Sequence, residues 1–137
     1  MSAAAGASAS PTPRGVVDVT LDDDELVVRP RGWWAMLSLR RRLRIPRSAL
    51  VSAHVAADPT TEVPVSIRVG GTGTLSVRAG YMRGEGQRSW WCYRYGRSAV
   101  VVALSLPKLQ HVVIMTDDDG ALVRSIDEST RPRIGSR

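Results

Sequence analysis

Two adjoining strand patterns occupy the stretch Ser89-Trp-Trp-Cys-Tyr-Arg-Tyr-Gly-Arg-Ser-Ala-Val-Val-Val-Ala-Leu104. Aromatic residues recur at every second position of its first half, and Ala99 to Leu104 is aliphatic throughout, which is typical of a strand buried on both faces. Gly96-Arg97 separates the halves, and a glycine that opens a two-residue connection predicts a type II′ hairpin. This stretch therefore predicts a β-rich protein.

Apolar and polar residues also alternate in shorter runs on both sides of this stretch. Strands are predicted at Val17–Val19, Glu25–Arg29, Trp33–Ile45, Leu50–Ala56, Val63–Val69, Thr74–Val77 and Gln110–Thr116. The glycines within residues 70–73 predict a turn, and those within 80–86 predict a loop.

The period changes near the C-terminus. The acidic run Asp117–Asp119 favours a helix start, and Leu122 and Ile126 follow at the i, i+4 spacing of a helix face. A helix of about three turns is predicted, ending before Pro132. The chain is therefore predicted to be mainly β, with about seven antiparallel strands in a barrel or sandwich closed by one C-terminal helix. Its predicted core comprises Val19, Leu26, Leu39, Leu43, Val55, Trp91, Val101, Val113, Leu122 and Ile126.

The 137 residues suit one domain with a single hydrophobic core. Residues 1–15 predict a disordered N-terminal tail, residues 16–128 the folded domain and residues 129–137 a basic C-terminal tail. No signal peptide or membrane span is recognised, so we expect a cytoplasmic protein. Cys92 is the only cysteine, which excludes an internal disulfide and a cysteine zinc cluster.

The net charge of +6 comes from nineteen basic residues, eighteen of them arginine, against thirteen acidic ones. So strong a bias toward arginine is typical of a GC-rich genome, so the positions of the arginines are more informative than their number. Residues 26–57 carry seven arginines and no acidic side chain. Such a local field attracts phosphates, anionic lipids or acidic partners.

A long strand from Trp33 to Ile45 is predicted to place part of this charge on one face. Arg40, Arg42 and Arg44 alternate there with the leucines of the opposite face. Tryptophan beside arginine suits a membrane interface or an anionic groove. The candidate anion-binding residues are therefore Arg40, Arg42, Arg44, Trp33 and Trp34. The alternative interpretation is a solvated strand face that has no ligand.

The chain resembles bacterial pleckstrin-homology-like proteins of the actinobacterial type. Three stretches of the second half carry the resemblance: Arg78-Ala-Gly80, the run from Gly84 through Trp90-Trp91 to Leu104, and Val112-Val-Ile-Met-Thr-Asp-Asp-Asp-Gly-Ala-Leu-Val-Arg-Ser-Ile126. In the first half, Arg44-Ile-Pro-Arg-Ser-Ala-Leu-Val51 is similar to the family's isoleucine-proline element. The resemblance covers about residues 16–127. It implies a strand-rich fold with a closing helix and a binding role, and it supplies no catalytic residues.

No motif for catalysis, metal binding or cofactor binding is recognised. His54 and His111 lack metal-ligand spacing, and no serine lies in a nucleophile elbow. The aspartate runs lack calcium-loop spacing, and the glycine-rich segments lack a P-loop ending. We therefore predict no enzyme, no metal and no cofactor.

The predicted function is a basic, non-catalytic binding module in the cytoplasm or peripherally at the inner face of the membrane. It is expected to engage a protein partner, for instance by strand addition at a sheet edge, or an anionic lipid or phosphate surface. The alternative is weak nucleic-acid binding through an arginine and tryptophan surface, with Trp91, Tyr93 and Tyr95 alternating as base-stacking aromatics do. Core packing of these aromatics is the competing interpretation, since the chain has no phenylalanine.

Overall fold

The computed structural model describes residues 15–73 and 77–130. The first part of the chain forms a three-stranded antiparallel sheet. It consists of β1 (Val17–Leu21), β2 (Glu25–Pro30) and β3 (Leu43–Pro46), in that order. The carboxylate of Asp22 fixes the β1–β2 turn, because it accepts hydrogen bonds from the backbone N–H groups of Asp24 and Glu25, each at 2.8 Å. These bonds favour the charged form and lower the pKa of Asp22.

A six-stranded sheet forms the second layer. Its strands are β4 (Leu50–Ala56), β5 (Ile67–Gly73), β6 (Val77–Gly84), β7 (Gln87–Arg94), β8 (Ala99–Leu104) and β9 (His111–Ile114). Their spatial order is β4-β8-β9-β7-β6-β5. β9 pairs antiparallel with β8 and parallel with β7, so the prediction of antiparallel strands throughout is wrong for this one pair.

The predicted hairpin across Gly96-Arg97 does not form, because β9 lies between β7 and β8. Val113 of β9 has Trp91 of β7 on one side and Val101 of β8 on the other, and all three are buried. Gly96 still has the positive φ, 81°, that its turn signal predicts. The local turn signal was therefore correct, but it did not determine which strand pairs with β8.

The described residues contain nine strands, where about seven are predicted from the sequence. The glycines expected in a turn within residues 70–73 lie in β5, and Gly80 and Gly84 of the expected loop lie in β6, because a main-chain ladder requires no side chain. Gly86 lies in the turn between β6 and β7. The predicted strand Thr74–Val77 lies outside the described residues except for Val77. Both sheets have open edges in the described part of the chain, formed by β4 and β5 in one and by β1 and β3 in the other.

The C-terminal helix is confirmed as α2, Asp119–Thr130, with α1 (Trp33–Leu37) the other described α-helix. The Asp118 side chain caps α2 by accepting a hydrogen bond from the backbone N–H of Ala121 at 3.0 Å. Leu122 and Ile126 are buried against the body of the protein, as predicted. Neither helix is long and apolar enough to cross a bilayer. Residues 1–14 and 131–137, which make up most of the two predicted tails, lie outside the described residues.

Most of the predicted core is buried. The buried members are Leu26, Leu43, Trp91, Val101, Val113, Leu122 and Ile126. Val19 is half-buried. The prediction is wrong for Val55, which is exposed on the edge strand β4, and for Leu39, which lies in a turn.

Candidate functional site

The stretch predicted as one long strand is instead a helix, a turn and a short strand. The backbone is left-handed at Gly32, before α1, with φ 49°, and at Leu39, after it, with φ 62°. Extended geometry is interrupted at both positions, so α1 and β3 are separate elements. Leu39 points away from the core for this reason.

The predicted strand face that carries Arg40, Arg42 and Arg44 is therefore not formed. Arg44 lies on β3, whereas Arg40 and Arg42 lie in the turn that precedes it. Arg44 projects outward between the buried side chains of Leu43 and Ile45, and its Nε lies 3.9 Å from the Glu25 carboxylate. The even spacing of three arginines along one strand is thus wrong, although Arg40 and Arg42 remain close in the chain.

One side of α1 anchors the helix to the larger sheet. Trp34 is buried, and the guanidinium of Arg94 lies over its ring, 5.6 Å from the centroid. Ser38 is fully buried and donates a hydrogen bond from Oγ to the backbone oxygen of Trp34. Cys92 lies beside Ser38; burial raises the pKa of its thiol, and a hydrogen bond with Ser38 partly opposes that shift. The i, i+4 pair Trp34 and Ser38 is therefore the inward face of the helix.

The other side of α1 and the following turn present large apolar side chains to solvent. Trp33 is 77% exposed, Met36 76% and Leu39 64%. Among residues 15–66 and 77–130, the other large hydrophobic side chains that are exposed are Val51 and Val55, and both are on β4. Three large apolar side chains exposed within seven residues make this part of the chain a candidate interaction surface.

Three consecutive arginines follow this patch. Arg40 donates a hydrogen bond from Nε to the Tyr81 hydroxyl at 2.9 Å, which ties the turn to β6. Arg41 and Arg42 are exposed, and no ion pair is described for either within residues 15–73 and 77–130. We call residues Trp33 to Arg42 the Trp33–Arg42 segment.

The structure thus brings together three of the five predicted site residues, Trp33, Arg40 and Arg42. It places Trp34 in the core and Arg44 beside an acidic partner. Three further members were not predicted from the sequence: Met36, Leu39 and Arg41. The signal for Met36 and Leu39 was their spacing of three from Trp33, which is helical but overlaps the alternation of leucines that favoured a strand.

The aromatic row of β7 lies inside the protein. Trp91 and Tyr93 are buried and meet edge to face with their centroids 5.9 Å apart. The Tyr93 hydroxyl donates a hydrogen bond to the backbone oxygen of Arg97. Packing in the core is therefore confirmed for these two rings, and the structure does not present them for stacking on bases.

Other groups with potential chemistry are dispersed. His54 hydrogen-bonds to Glu62 on the surface, with Nε2 2.5 Å from Oε1. His111 lies on β9, and burial lowers its pKa, with a smaller contribution from the charge of His54. Across residues 15–73 and 77–130, no three or more histidine, cysteine, aspartate or glutamate side chains are grouped to hold a metal ion.

No family model matches the chain, and neither a curated protein nor a solved structure matches it.

Proposed function

We propose that this protein is a non-catalytic module that attaches peripherally to an anionic membrane surface through the Trp33–Arg42 segment. One observation carries the proposal: three large apolar side chains, Trp33, Met36 and Leu39, are exposed in the segment that continues directly into the exposed residues Arg40, Arg41 and Arg42. On this proposal the surface is the inner face of the cytoplasmic membrane.

The apolar part of the segment supplies the insertion energy. Full burial of a large apolar side chain is worth about 1.5–3 kcal/mol. A tryptophan ring also suits the headgroup boundary, because it has an apolar body and an N–H donor. Because burial of Trp34 fixes the orientation of α1, Trp33 and Met36 face outward before the protein meets a membrane. Little conformational entropy is therefore lost when they insert.

The arginines supply the preference for anionic lipid. Each basic residue near an anionic leaflet contributes about 1 kcal/mol, and the contribution falls off within a Debye length. Three arginines therefore favour anionic over neutral lipid by about a hundredfold at low salt. The combination of insertion and charge attraction is the way peripheral segments bind membranes.

The resemblance to pleckstrin-homology-like proteins is part of this proposal. Two sheets and a C-terminal helix support it, as does the position of the arginines after the first strand pair. The parallel pairing of β7 with β9 departs from an antiparallel arrangement of about seven strands.

The test is flotation of the full chain with vesicles of phosphatidylcholine, with and without phosphatidylglycerol, at low and high salt. Binding is expected only to the anionic vesicles, and it is expected to weaken as salt is raised. Arg40→Gln/Arg41→Gln/Arg42→Gln should reduce binding about a hundredfold, and Trp33→Ser/Met36→Ser/Leu39→Ser should abolish it.

Matched controls are available on other faces of the protein. Val51→Ser/Val55→Ser removes the comparable exposed hydrophobic side chains of β4, and Arg29→Gln/Arg97→Gln/Arg124→Gln removes three exposed charges elsewhere. Both controls should bind like the wild type. The proposal is wrong if anionic vesicles do not bind the wild type, or if the two segment variants bind no worse than the controls. Binding to single-stranded nucleic acid instead of vesicles would support the alternative function, weak nucleic-acid binding.

A further inference from the structure

A second basic feature lies at the end of the larger sheet where β6 turns into β7. A cleft of about 480 Å³ opens between the β6–β7 turn and the loop that joins β8 to β9. This volume lies in the range of about 300–1,000 Å³ that is usual for small-molecule sites. The described residues that line it are Arg83, Gly86, Arg88, Pro107, Lys108 and Gln110.

The strand register places two of these cationic residues, Arg83 and Arg88, next to each other. Arg83 of β6 lies directly opposite Arg88 of β7 in the antiparallel ladder, so both side chains project from the same face. Lys108, the only lysine of the chain, approaches from the β8–β9 loop. Like charges directly opposite each other destabilise a sheet. An anion bound between them would remove this cost.

The two walls of the cleft are locked to each other by Gln110. Its Oε1 accepts a hydrogen bond from the backbone N–H of Arg88 at 2.7 Å, and its own backbone N–H donates to the Arg88 oxygen at 2.9 Å. Its Nε2 donates to the backbone oxygens of Leu106 and Pro107, at 3.0 and 3.2 Å. The Gln110 side chain therefore fixes the backbone of the lysine-bearing loop against the backbone of the arginine-bearing strand, so the main-chain positions that carry Arg88 and Lys108 are held together without a ligand.

No acidic residue is among the six that line the cleft. Glu85 lies in the adjoining turn, exposed and with a positive φ of 52°, but outside the lining. Within residues 15–73 and 77–130, the ion pairs that are described use other basic residues. The charge of Arg83, Arg88 and Lys108 is thus not neutralised by a described carboxylate.

We infer that this cleft binds a phosphate group. Two guanidinium groups can each donate paired N–H bonds to phosphate oxygens, and an ammonium adds a compact third charge. The phosphate could belong to a lipid headgroup or to a small water-soluble phosphate, since the chemistry of recognition is the same. The inference goes beyond membrane attachment through the Trp33–Arg42 segment and does not depend on it.

The experiment titrates the full chain with inorganic phosphate at constant ionic strength, followed by the ¹H–¹⁵N signals of the arginine side chains and by thermal melting. Saturable shifts are expected for Arg83 and Arg88, together with a rise in melting temperature. Arg83→Gln/Arg88→Gln/Lys108→Gln should weaken binding at least about tenfold and remove the thermal shift. Arg29→Gln/Arg97→Gln/Arg124→Gln, matched in charge, should behave like the wild type.

Flotation on vesicles that contain phosphatidic acid separates the two sources of phosphate. If the source is a lipid headgroup, the cleft variant should float less than the wild type. If the source is a soluble phosphate, the cleft variant should float normally while its response to inorganic phosphate is lost. Trp33→Ser/Met36→Ser/Leu39→Ser should keep the response to inorganic phosphate, which separates this inference from the proposed function. The inference is overturned if no saturable response occurs by about 10 mM phosphate, or if the cleft variant responds like the wild type.

Discussion

The guanidinium of Arg94, at the end of β7, lies over the ring of Trp34 with its central carbon 5.6 Å from the ring centroid. A cation over the face of tryptophan is attracted by the ring quadrupole. This contact and the burial of Trp34 explain how two adjacent tryptophans have opposite environments, since fixing Trp34 inward leaves Trp33 77% exposed. The short helix α1 is therefore anchored by the ring of Trp34, and the ring of Trp33 is exposed to solvent.

The two tryptophans should differ sharply in their contribution to stability. Trp34→Ala removes a buried ring and should lower the free energy of unfolding by about 3–5 kcal/mol. Trp33→Ala changes a surface side chain and should alter it by less than about 0.5 kcal/mol. Urea denaturation followed by far-ultraviolet circular dichroism measures both. Equal losses for the two variants would contradict the opposite placement of the rings.

Two glycines give a matched pair of backbone substitutions. A Cβ at Gly84 would lie 2.5 Å from the backbone carbon and oxygen of Pro64, which cannot move aside as a side chain can. A Cβ at Gly120, in the first turn of α2, would meet nothing closer than the flexible Arg124 side chain at 3.4 Å. Gly84→Ala should therefore cost at least about 1 kcal/mol, whereas Gly120→Ala should stabilise the protein by about 0.5–1 kcal/mol.

Thermal melting of the two glycine variants is the measurement. The expected shifts in melting temperature have opposite signs. A Gly84→Ala variant as stable as the wild type would show that β6 does not approach Pro64 as closely as the structure describes.

Local patterns predicted those elements whose burial is decided by their own sequence. The bounds of β4 at Leu50–Ala56 and the start of α2 near Asp117–Asp119 were predicted correctly from local patterns, although burial within β4 recurs at every third residue and not at every second. Trp91 and Val101 were placed in the core because their strands are rich in large apolar residues. In these cases local propensity and tertiary packing favour the same structure.

Features that depend on distant partners could not be predicted in this way. The insertion of β9 between β7 and β8 requires knowledge of which strand best covers Trp91 and Val101, and nothing around Gly96 carries that information. The same holds for the candidate site. Leu39 continued a leucine alternation, and only the left-handed backbone of the turn after α1 places it in solvent. The cleft at Arg88 combines two arginines that face each other on paired strands with a lysine from a later loop, so its charges are not adjacent in sequence.

Cys92 should be unreactive in the folded protein. It is fully buried, and burial raises the pKa of its thiol, so the thiolate that attacks electrophiles is scarce. Modification by a thiol reagent at about pH 8 is expected to be at least about a hundredfold slower than in the urea-unfolded chain. Ser38→Ala removes the hydrogen-bonding neighbour of the thiol. This variant tests whether the accessibility of Cys92 to the reagent or the pKa of its thiol limits the reaction. Rapid modification of the folded wild type would contradict the burial of Cys92 beneath α1.

A salt-bridge cluster should make stability depend on pH in the acid range. Arg31 Nη2 lies 2.6 Å from the Asp18 carboxylate and 2.8 Å from that of Asp117, which links the first sheet to the segment before α2. The hydrogen bond from Arg31 is the main cause that lowers the pKa of Asp117 in the folded protein. Because the unfolded chain takes up the proton first, the stabilisation is complete above the ordinary pKa of 3.8 and is lost as pH falls through the lower folded value.

Arg31→Gln should therefore lower the urea midpoint near neutral pH and flatten its fall between about pH 5 and pH 3. Since both carboxylates are partly exposed, the loss at neutral pH should be only about 1 kcal/mol. Asp22 is independent of this cluster and also has a lowered pKa, so part of the acid dependence should remain in the variant. Arg124→Gln, which removes an exposed charge from α2, is the control and should keep the wild-type slope. If Arg31→Gln gives a curve parallel to that of the wild type, the ion pair with Asp117 is not what stabilises the folded protein in this pH range.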